Sequence, residues 1–223
     1  MKIALINGSP KVGNSSSRWL LSELKTFLVQ KEQTTEIIEI EMHTPVVAEQ
    51  DMEALCGAQV WVFACPLYVD GIPSHLLSCL IQLEQEKRRW QNRGSRSYGI
   101  VNCGFYEGIQ AETALELFNN WCAKAEACWG GGLGVGGGGG LSQMPDTKNG
   151  QGPKAPIRSA LLEMADQIVA CGEMENMYQS VAFPRSFYKM AAQMGWRKMI
   201  KANGKKVKDL GARPESRICG WEK

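Results

Sequence analysis

Histidine is scarce in this chain: His43 and His75 are the only two in 223 residues. His43 stands beside Pro45 with no second ligand at metal spacing, so no metal site is expected and His43 reads as a solvated loop residue. With so few imidazoles there is also no paired base for a cysteine or serine nucleophile. The eight cysteines (56, 65, 79, 103, 122, 128, 171 and 219) include no C-x-x-C pair. They read as small buried hydrophobes in a reducing cytoplasm. No apolar run approaches the roughly 20 residues of a membrane span. The first residues already read as a strand with no apolar h-region after them, so no secretory signal is expected. Charge of one sign is missing too. Twenty-five basic against 23 acidic residues leave +2 overall, which gives no global case for nucleic acid or a membrane surface. The length suits one domain with an elaborated C-terminus.

What the chain does have is concentrated at its start. Lys2 to Ile6 is a short apolar run, and Asn7-Gly8-Ser9-Pro10-Lys11-Val12-Gly13-Asn14-Ser15-Ser16-Ser17 follows without a spacer. Strand, small-residue turn and helix is the reading, with Ser15 to Ser17 supplying the helix cap. Such a loop gathers N–H groups and hydroxyls in one concavity at the positive end of a helix, which suits a phosphate. Hydrogen bonds to an ionised group contribute about 1.5–3 kcal/mol each and the helix dipole about 0.3–1, so the donors dominate. Ser9, Lys11, Asn14, Ser15 and Ser16 are the candidate donors, with Gly13 shaping the turn.

The spacing nearly spells a triphosphate loop, G-x-x-x-x-G-K-[ST], but Asn14 takes the lysine position. The strand expected over Gln59 to Ala64 runs into Cys65-Pro66 with no acidic metal ligand. The dinucleotide fingerprint G-x-G-x-x-G is absent, since Ser9-Pro10 follows Gly8. A lone phosphate monoester held without metal fits better. Gly8-Ser9-Pro10-Lys11-Val12-Gly13-Asn14-Ser15 resembles the phosphate loop of the flavodoxin-like NAD(P)H-dependent FMN reductases and quinone reductases, which holds the ribityl phosphate of FMN.

Helical spacing of Trp19, Leu20, Leu24, Phe27 and Leu28 predicts a first helix to about Lys31, and Thr35 to Ile40 a second strand. Asp51 to Cys56 reads as a short helix ended by Gly57. Gln59 to Ala64 reads as a central strand buried on both faces. It opens into Cys65-Pro66-Leu67-Tyr68-Val69-Asp70-Gly71-Ile72-Pro73-Ser74, a stiff loop with one aromatic. In open α/β sheets ligands collect beyond the carboxyl ends of strands at the switch point, so this loop should share a crevice with the first. Pro66 to Pro73 is similar to the isoalloxazine loop of the same family, which implicates Pro66, Leu67, Tyr68, Val69, Asp70 and Gly71. The alternative is that Tyr68 is merely a half-buried loop aromatic.

A third helix is expected from Ser74 to about Trp90, with Leu76, Leu77, Leu80, Ile81 and Leu83 inward and Glu84 to Arg89 solvated. His75 near its start could line the cleft, cap the helix or meet a second subunit. Ser97 to Asn102 is the fourth strand, opening into Cys103-Gly104-Phe105-Tyr106. In the family this loop meets the pyrimidine side of the flavin, which here implicates Asn102, Cys103, Gly104 and Phe105. A fourth helix is read from Ala111 to Cys128 on Ala114, Leu117, Phe118, Trp121, Ala125 and Cys128. The glycine-rich run Trp129 to Gly140 follows, either a fifth, edge strand past the cleft or a flexible linker with Gln143 to Pro156 as an insert. Ile157 to Cys171 is a fifth helix, and Phe183 to Gly204 an additional one whose basic cluster reads as the solvated face of a helix packed on the core or on a second subunit, or as a site for a membrane surface or an anionic partner.

The resemblance implies an α/β flavodoxin-like doubly wound sheet of five parallel strands in order 2-1-3-4-5, with helices on both faces and an extra C-terminal helix. It implies a single FMN-binding domain over residues 1–223, with 1–172 as core and 173–223 as extension. It also implies a cytoplasmic FMN-dependent oxidoreductase, often a homodimer, that takes hydride from NADH or NADPH and reduces a quinone, nitro compound, free flavin or similar small-molecule acceptor. No catalytic side chain is then needed, because the flavin carries the chemistry. Cys56 alone lies where some relatives carry an iron–sulfur motif, so no cluster is expected. The alternatives are a one-electron carrier flavodoxin, against which the near-neutral charge argues, and an FMN-binding regulatory module closed by Tyr106 or the C-terminal helix.

Overall fold

The first strand, β1 (Lys2–Asn7), is buried over almost its whole length, and its side chains alternate between two packed layers. That double burial is what a central parallel strand requires. The computed structural model describes residues 1–91, 94–141 and 152–212. Of the expected insert from Gln143 to Pro156, residues 143–151 lie outside the described residues, as does Cys219.

The elements alternate as α1 (Ser16–Lys31), β2 (Glu36–Glu41), α2 (Glu49–Gly57), β3 (Val60–Pro66), α3 (Ser74–Gln85), β4 (Arg96–Asn102), α4 (Glu112–Ala125), β5 (Cys128–Val135), α5 (Ala155–Val169), β6 (Met177–Gln179) and α6 (Arg185–Ala202). The described strands form one sheet in the order β2-β1-β3-β4-β5-β6. Every neighbouring pair is parallel. The order of the first five is the one expected, but the sheet has six strands rather than five. The sixth pairs Met177, Tyr178 and Gln179 with Leu133, Gly134 and Val135, so β5 is not an edge.

One sheet face packs on α2, α3 and α4 through an aromatic core. Trp61 lies edge-on to Trp90, with ring centroids 4.7 Å apart, and Phe63 stacks on Phe118 at 5.5 Å. The other face receives α1 and α5, whose Leu20, Leu24, Leu28, Leu161, Met164 and Ile168 are buried. Tyr98 reaches through that layer to Gly172 O, at 2.7 Å, and burial holds its hydroxyl in the neutral form. Two helical stripes differ from the expectation. Leu77, Ile81 and Leu117 are exposed, because α3 and α4 turn a narrower face to the sheet. α4 also ends earlier than expected, where Glu126 takes up a left-handed conformation (φ 62°), and Cys128 opens β5 instead.

The glycines of β5 are explained by crowding. A Cβ on Gly134 would lie 2.6 Å from Gly108 O, and one on Gly136 would lie 2.0 Å from Tyr106 O. The chain from Tyr106 to Gly108 therefore crosses the end of β5 in direct backbone contact, which a side chain would prevent.

The chain divides into two compact units, Met1–Ala182, which carries the sheet, and Phe183–Lys223. In the second, α6 has no buried residue, Phe183 meets Phe187 edge-on, and the turn Val207–Gly211 is capped by Asp209 accepting from Lys206 N–H at 2.8 Å. Among the described residues no helix is long and apolar enough to cross a membrane.

Gly136→Ala should destabilise the protein by about 3 kcal/mol or more in urea denaturation, since backbone atoms cannot give way as side chains do. Gly57→Ala has nothing nearer than 3.7 Å to its new methyl group. It should be neutral or stabilise by up to about 1 kcal/mol.

Candidate functional site

The cleft forms where β1 and β3 leave the sheet in opposite directions, at the carboxyl ends of the strands. Gly8 N–H donates to Ala64 O at 2.8 Å, so the chain turns sharply off the end of β1 against β3. Asn7 Oδ1 accepts from Ser9 N–H at 3.1 Å, and Ser9 Oγ accepts from Lys11 N–H at 3.3 Å. Ser15 then caps α1, its hydroxyl oxygen accepting from Arg18 N–H at 3.2 Å.

These bonds satisfy the two ends of the loop and leave its middle open. Among the described residues, the backbone N–H groups of Gly13, Asn14, Ser15, Ser16 and Ser17 donate to no protein acceptor. Five orphan donors at the start of a sixteen-residue helix make a concavity with positive character. The cleft they serve is lined by Ser9, Lys11, Asn14, Ser15, Ser16, Ser17, Pro66, Leu67, Tyr68, Asn102, Gly104, Gly138 and Gly139. An anionic group is what such a donor set suits. Among the described residues no cluster of three or more His, Cys, Asp or Glu side chains could hold a metal ion.

The structure places Ser9, Lys11, Asn14, Ser15, Ser16, Pro66, Leu67, Tyr68, Asn102 and Gly104 on this cleft. The remaining sequence candidates stand elsewhere. Gly13 turns the loop at φ 92° without lining the cleft. Val69, Asp70 and Gly71 form a tight hairpin beside it, closed by Tyr68 N–H to Gly71 O at 2.9 Å and the reverse bond at 3.0 Å. Phe105 is half exposed, outside the lining, and Cys103 is buried. The Cys103 thiol points at Phe105 O and Glu107 O, and burial pushes it further towards the neutral form. It is not placed as a nucleophile.

Three lining residues were not among the sequence candidates, although Ser17 stood in the helix cap and the two glycines in the run read as passing the cleft: Ser17, Gly138 and Gly139. Ser17 Oγ accepts from Asn102 Nδ2 at 2.8 Å, and the same amide donates to Cys65 O at 3.0 Å, so one buried side chain ties α1, β3 and β4 together. Ser16 spends its hydroxyl proton on Gly138 O. Its side chain therefore fastens the glycine-rich turn over the cleft, leaving its backbone N–H for an anion. His43 also departs from expectation. It is not a solvated loop residue, because its ring contacts Ser9 O at 2.6 Å and Glu41 Oε2 at 3.0 Å.

Neither a protein-family model nor a curated protein matches the sequence. Solved structures do. The apo form of the NADH:FMN oxidoreductase EMOB superposes with a TM-score of 0.57 at 13% identity, over 83% of this chain and 97% of that one. A short-chain flavodoxin associated with a non-canonical PDU bacterial microcompartment gives 0.52 at 13% identity, over 78% and 99%. A flavodoxin, WrbA-like protein from Agrobacterium tumefaciens gives 0.50 at 12%, over 76% and 97%. At these identities the likeness is one of fold: the chain is flavodoxin-like.

The hairpin beside Tyr68 carries backbone strain. Val69 and Asp70 both have positive φ, 49° and 58°, and the Val69 side chain is fully exposed. A β-branched residue gains nothing there to offset its left-handed conformation. Val69→Asn should therefore stabilise the protein by about 1 kcal/mol in urea denaturation, with no packing lost.

Proposed function

We propose that the protein is an FMN-dependent oxidoreductase that takes hydride from NADH or NADPH and passes electrons to a small acceptor such as a quinone, nitro compound or free flavin. The observation that carries this reading is the row of orphan N–H groups from Gly13 to Ser17, in a flavodoxin-like fold, four of whose residues, Asn14 to Ser17, line the switch-point cleft.

In this reading Asn14, Ser15 and the amides of the row hold the FMN phosphate, with Lys11 adding charge. Tyr68 lines the cleft and is half exposed, so its ring can serve as a wall for the flat isoalloxazine. Leu67 N–H is committed to Asn102 O at 2.8 Å and Asn102 Nδ2 to Cys65 O, which holds the third loop fast against the second. A Cβ added at Gly104 would meet no atom within 4 Å beyond its chain neighbours, so there is room at the ring's polar edge. Bound FMN would supply the two-electron chemistry, accepting hydride from the nicotinamide. The chain's residues bind, orient and shield, and none is required to act as acid or base. A second subunit over the cleft belongs to the same proposal, with the exposed Leu77, Ile81 and Leu117 as its contact.

Anaerobic mixing with NADH or NADPH tests the reading. Rapid bleaching of the bound flavin is expected, whereas a stable one-electron semiquinone with no nicotinamide reaction would point to an electron carrier instead. Asn14→Asp combined with Ser16→Glu places carboxylates against the anion and should weaken FMN binding by about a hundredfold or more. Flavin retained at the wild-type level by that variant, measured by absorbance after dialysis, would remove the phosphate-loop assignment.

A further inference from the structure

The second unit carries a charge imbalance that the near-neutral total hides. Residues 183–212 contain eight Lys or Arg and one acidic residue, Asp209, a net +7. Residues 1–182 contain 14 basic and 20 acidic residues, a net −6. On the first unit, cations meet carboxylates: Lys2 pairs with Glu36, Arg18 with Glu41, Arg89 with Glu49 and Arg158 with Glu23. From Arg197 to Lys208, six cations fall within twelve residues. Among the described residues none of these six has an ion-pair partner. Like charges crowded on one helix and the turn after it repel, and an anionic surface relieves that repulsion.

α6 adds apolar side chains in register with these charges, and it has no buried residue. Half-buried Tyr188, Ala192 and Ile200, four and eight residues apart, mark one side of it, and the turn Val207–Gly211 packs with the helix. On the opposite side, spacings of three and four put Phe187, Met190 and Met194 in one row, each half exposed or more. The same row runs on as Arg197, Lys198 and Lys201. Over a helix about 27 Å long, this face is apolar in its first half and cationic in its second. Acyl chains close around protruding Phe and Met side chains, and the long stems of Lys and Arg reach lipid phosphates. A protein partner would need a groove matched to a convex helix. Nucleic acid would use the cations and leave the apolar row unused.

We propose that α6 and the lysines that follow it dock the protein on an anionic membrane surface. Phe187, Met190 and Met194 enter the boundary between headgroups and acyl chains, and the cations from Arg197 to Lys208 meet the lipid phosphates. The helix lies in the interface rather than crossing it, as its cationic half requires. A net −6 on the first unit opposes adsorption, so the docking belongs to the second unit. It stands independently of the flavin reading and goes beyond it.

Co-sedimentation of the full chain with lipid vesicles is the test. Phosphatidylcholine vesicles containing about one-third phosphatidylglycerol should bind the wild type about tenfold or more tighter than pure phosphatidylcholine, and about 0.5 M salt should remove the difference. Equal partition into the two, or none into either, would overturn the proposal, and this comparison stands whether or not a variant folds. Lys198→Gln with Lys201→Gln and Lys205→Gln should weaken binding to the anionic vesicles by about a hundredfold, at about fivefold per cation. Phe187→Ser with Met194→Ser should weaken it about tenfold or more. Both variants change exposed side chains, so thermal unfolding should match the wild type. Anionic binding left intact by the serine variant would mean adsorption by charge alone and would overturn the proposal. A lipid-free dimer split by the serine variant, seen by light scattering, would assign the row to a second copy instead. Duplex DNA bound where anionic vesicles are not would assign the cations to nucleic acid.

Discussion

Five consecutive backbone N–H groups without a protein partner are the constraint around which the rest of this molecule is arranged. Gly13 and Asn14 are exposed, but Ser15 and Ser17 are buried and Ser16 is half-buried. Buried amides are rarely left unpaired, because each costs about 1–3 kcal/mol when desolvated alone. Here they are kept open by bonds made on either side. Gly8 is pinned to β3, Ser9 turns back on Asn7, and the Ser15 hydroxyl serves Arg18 N–H rather than the groups before it. The loop therefore cannot relax by folding onto itself. A ligand with several acceptor oxygens and negative charge satisfies the row at once.

The surrounding parts serve that geometry. β3 and β4 end together, and Asn102 locks their exits to α1 with two hydrogen bonds from one amide. The glycines after β5 let the chain come close enough for Ser16 to reach Gly138 across 122 residues of sequence. The aromatic core of Trp61, Phe63, Phe118 and Trp121 lies under the opposite helices and keeps the central strands from shifting relative to one another. Thiols near the cleft are chemically silent: Cys65 is fully buried, and burial drives its thiol strongly to the neutral state. The donor set and the half-exposed Tyr68 beside it are what the site offers.

Much of this was legible in the chain itself where the signals were local. Ile3 to Ile6 and Val60 to Ala64 are continuous apolar runs, and Ser15 stands one residue before a helix, so strand, turn and cap could be read in order. The order of the first five strands came with the resemblance rather than with any periodicity. β6 was not legible because three residues, Met177 to Gln179, carry no alternating pattern and become a strand only by pairing with β5. Helical spacing placed Leu77 and Ile81 inward, yet it cannot tell how wide a face the sheet will cover. The contacts of His43, Gly138 and Gly139 were missed for another reason. Their roles arise from contacts over long sequence separations, with Ser9 and Ser16, and no local pattern records these.

The central claim is that the loop after β1 recognises a phosphate, and calorimetric titration of the flavin-free protein with FMN and with riboflavin, which lacks only that group, tests it most directly. Binding of FMN tighter than riboflavin by about a hundredfold or more is the predicted result, as several charge-assisted hydrogen bonds require. Equal affinities, or no binding of either, would contradict the account.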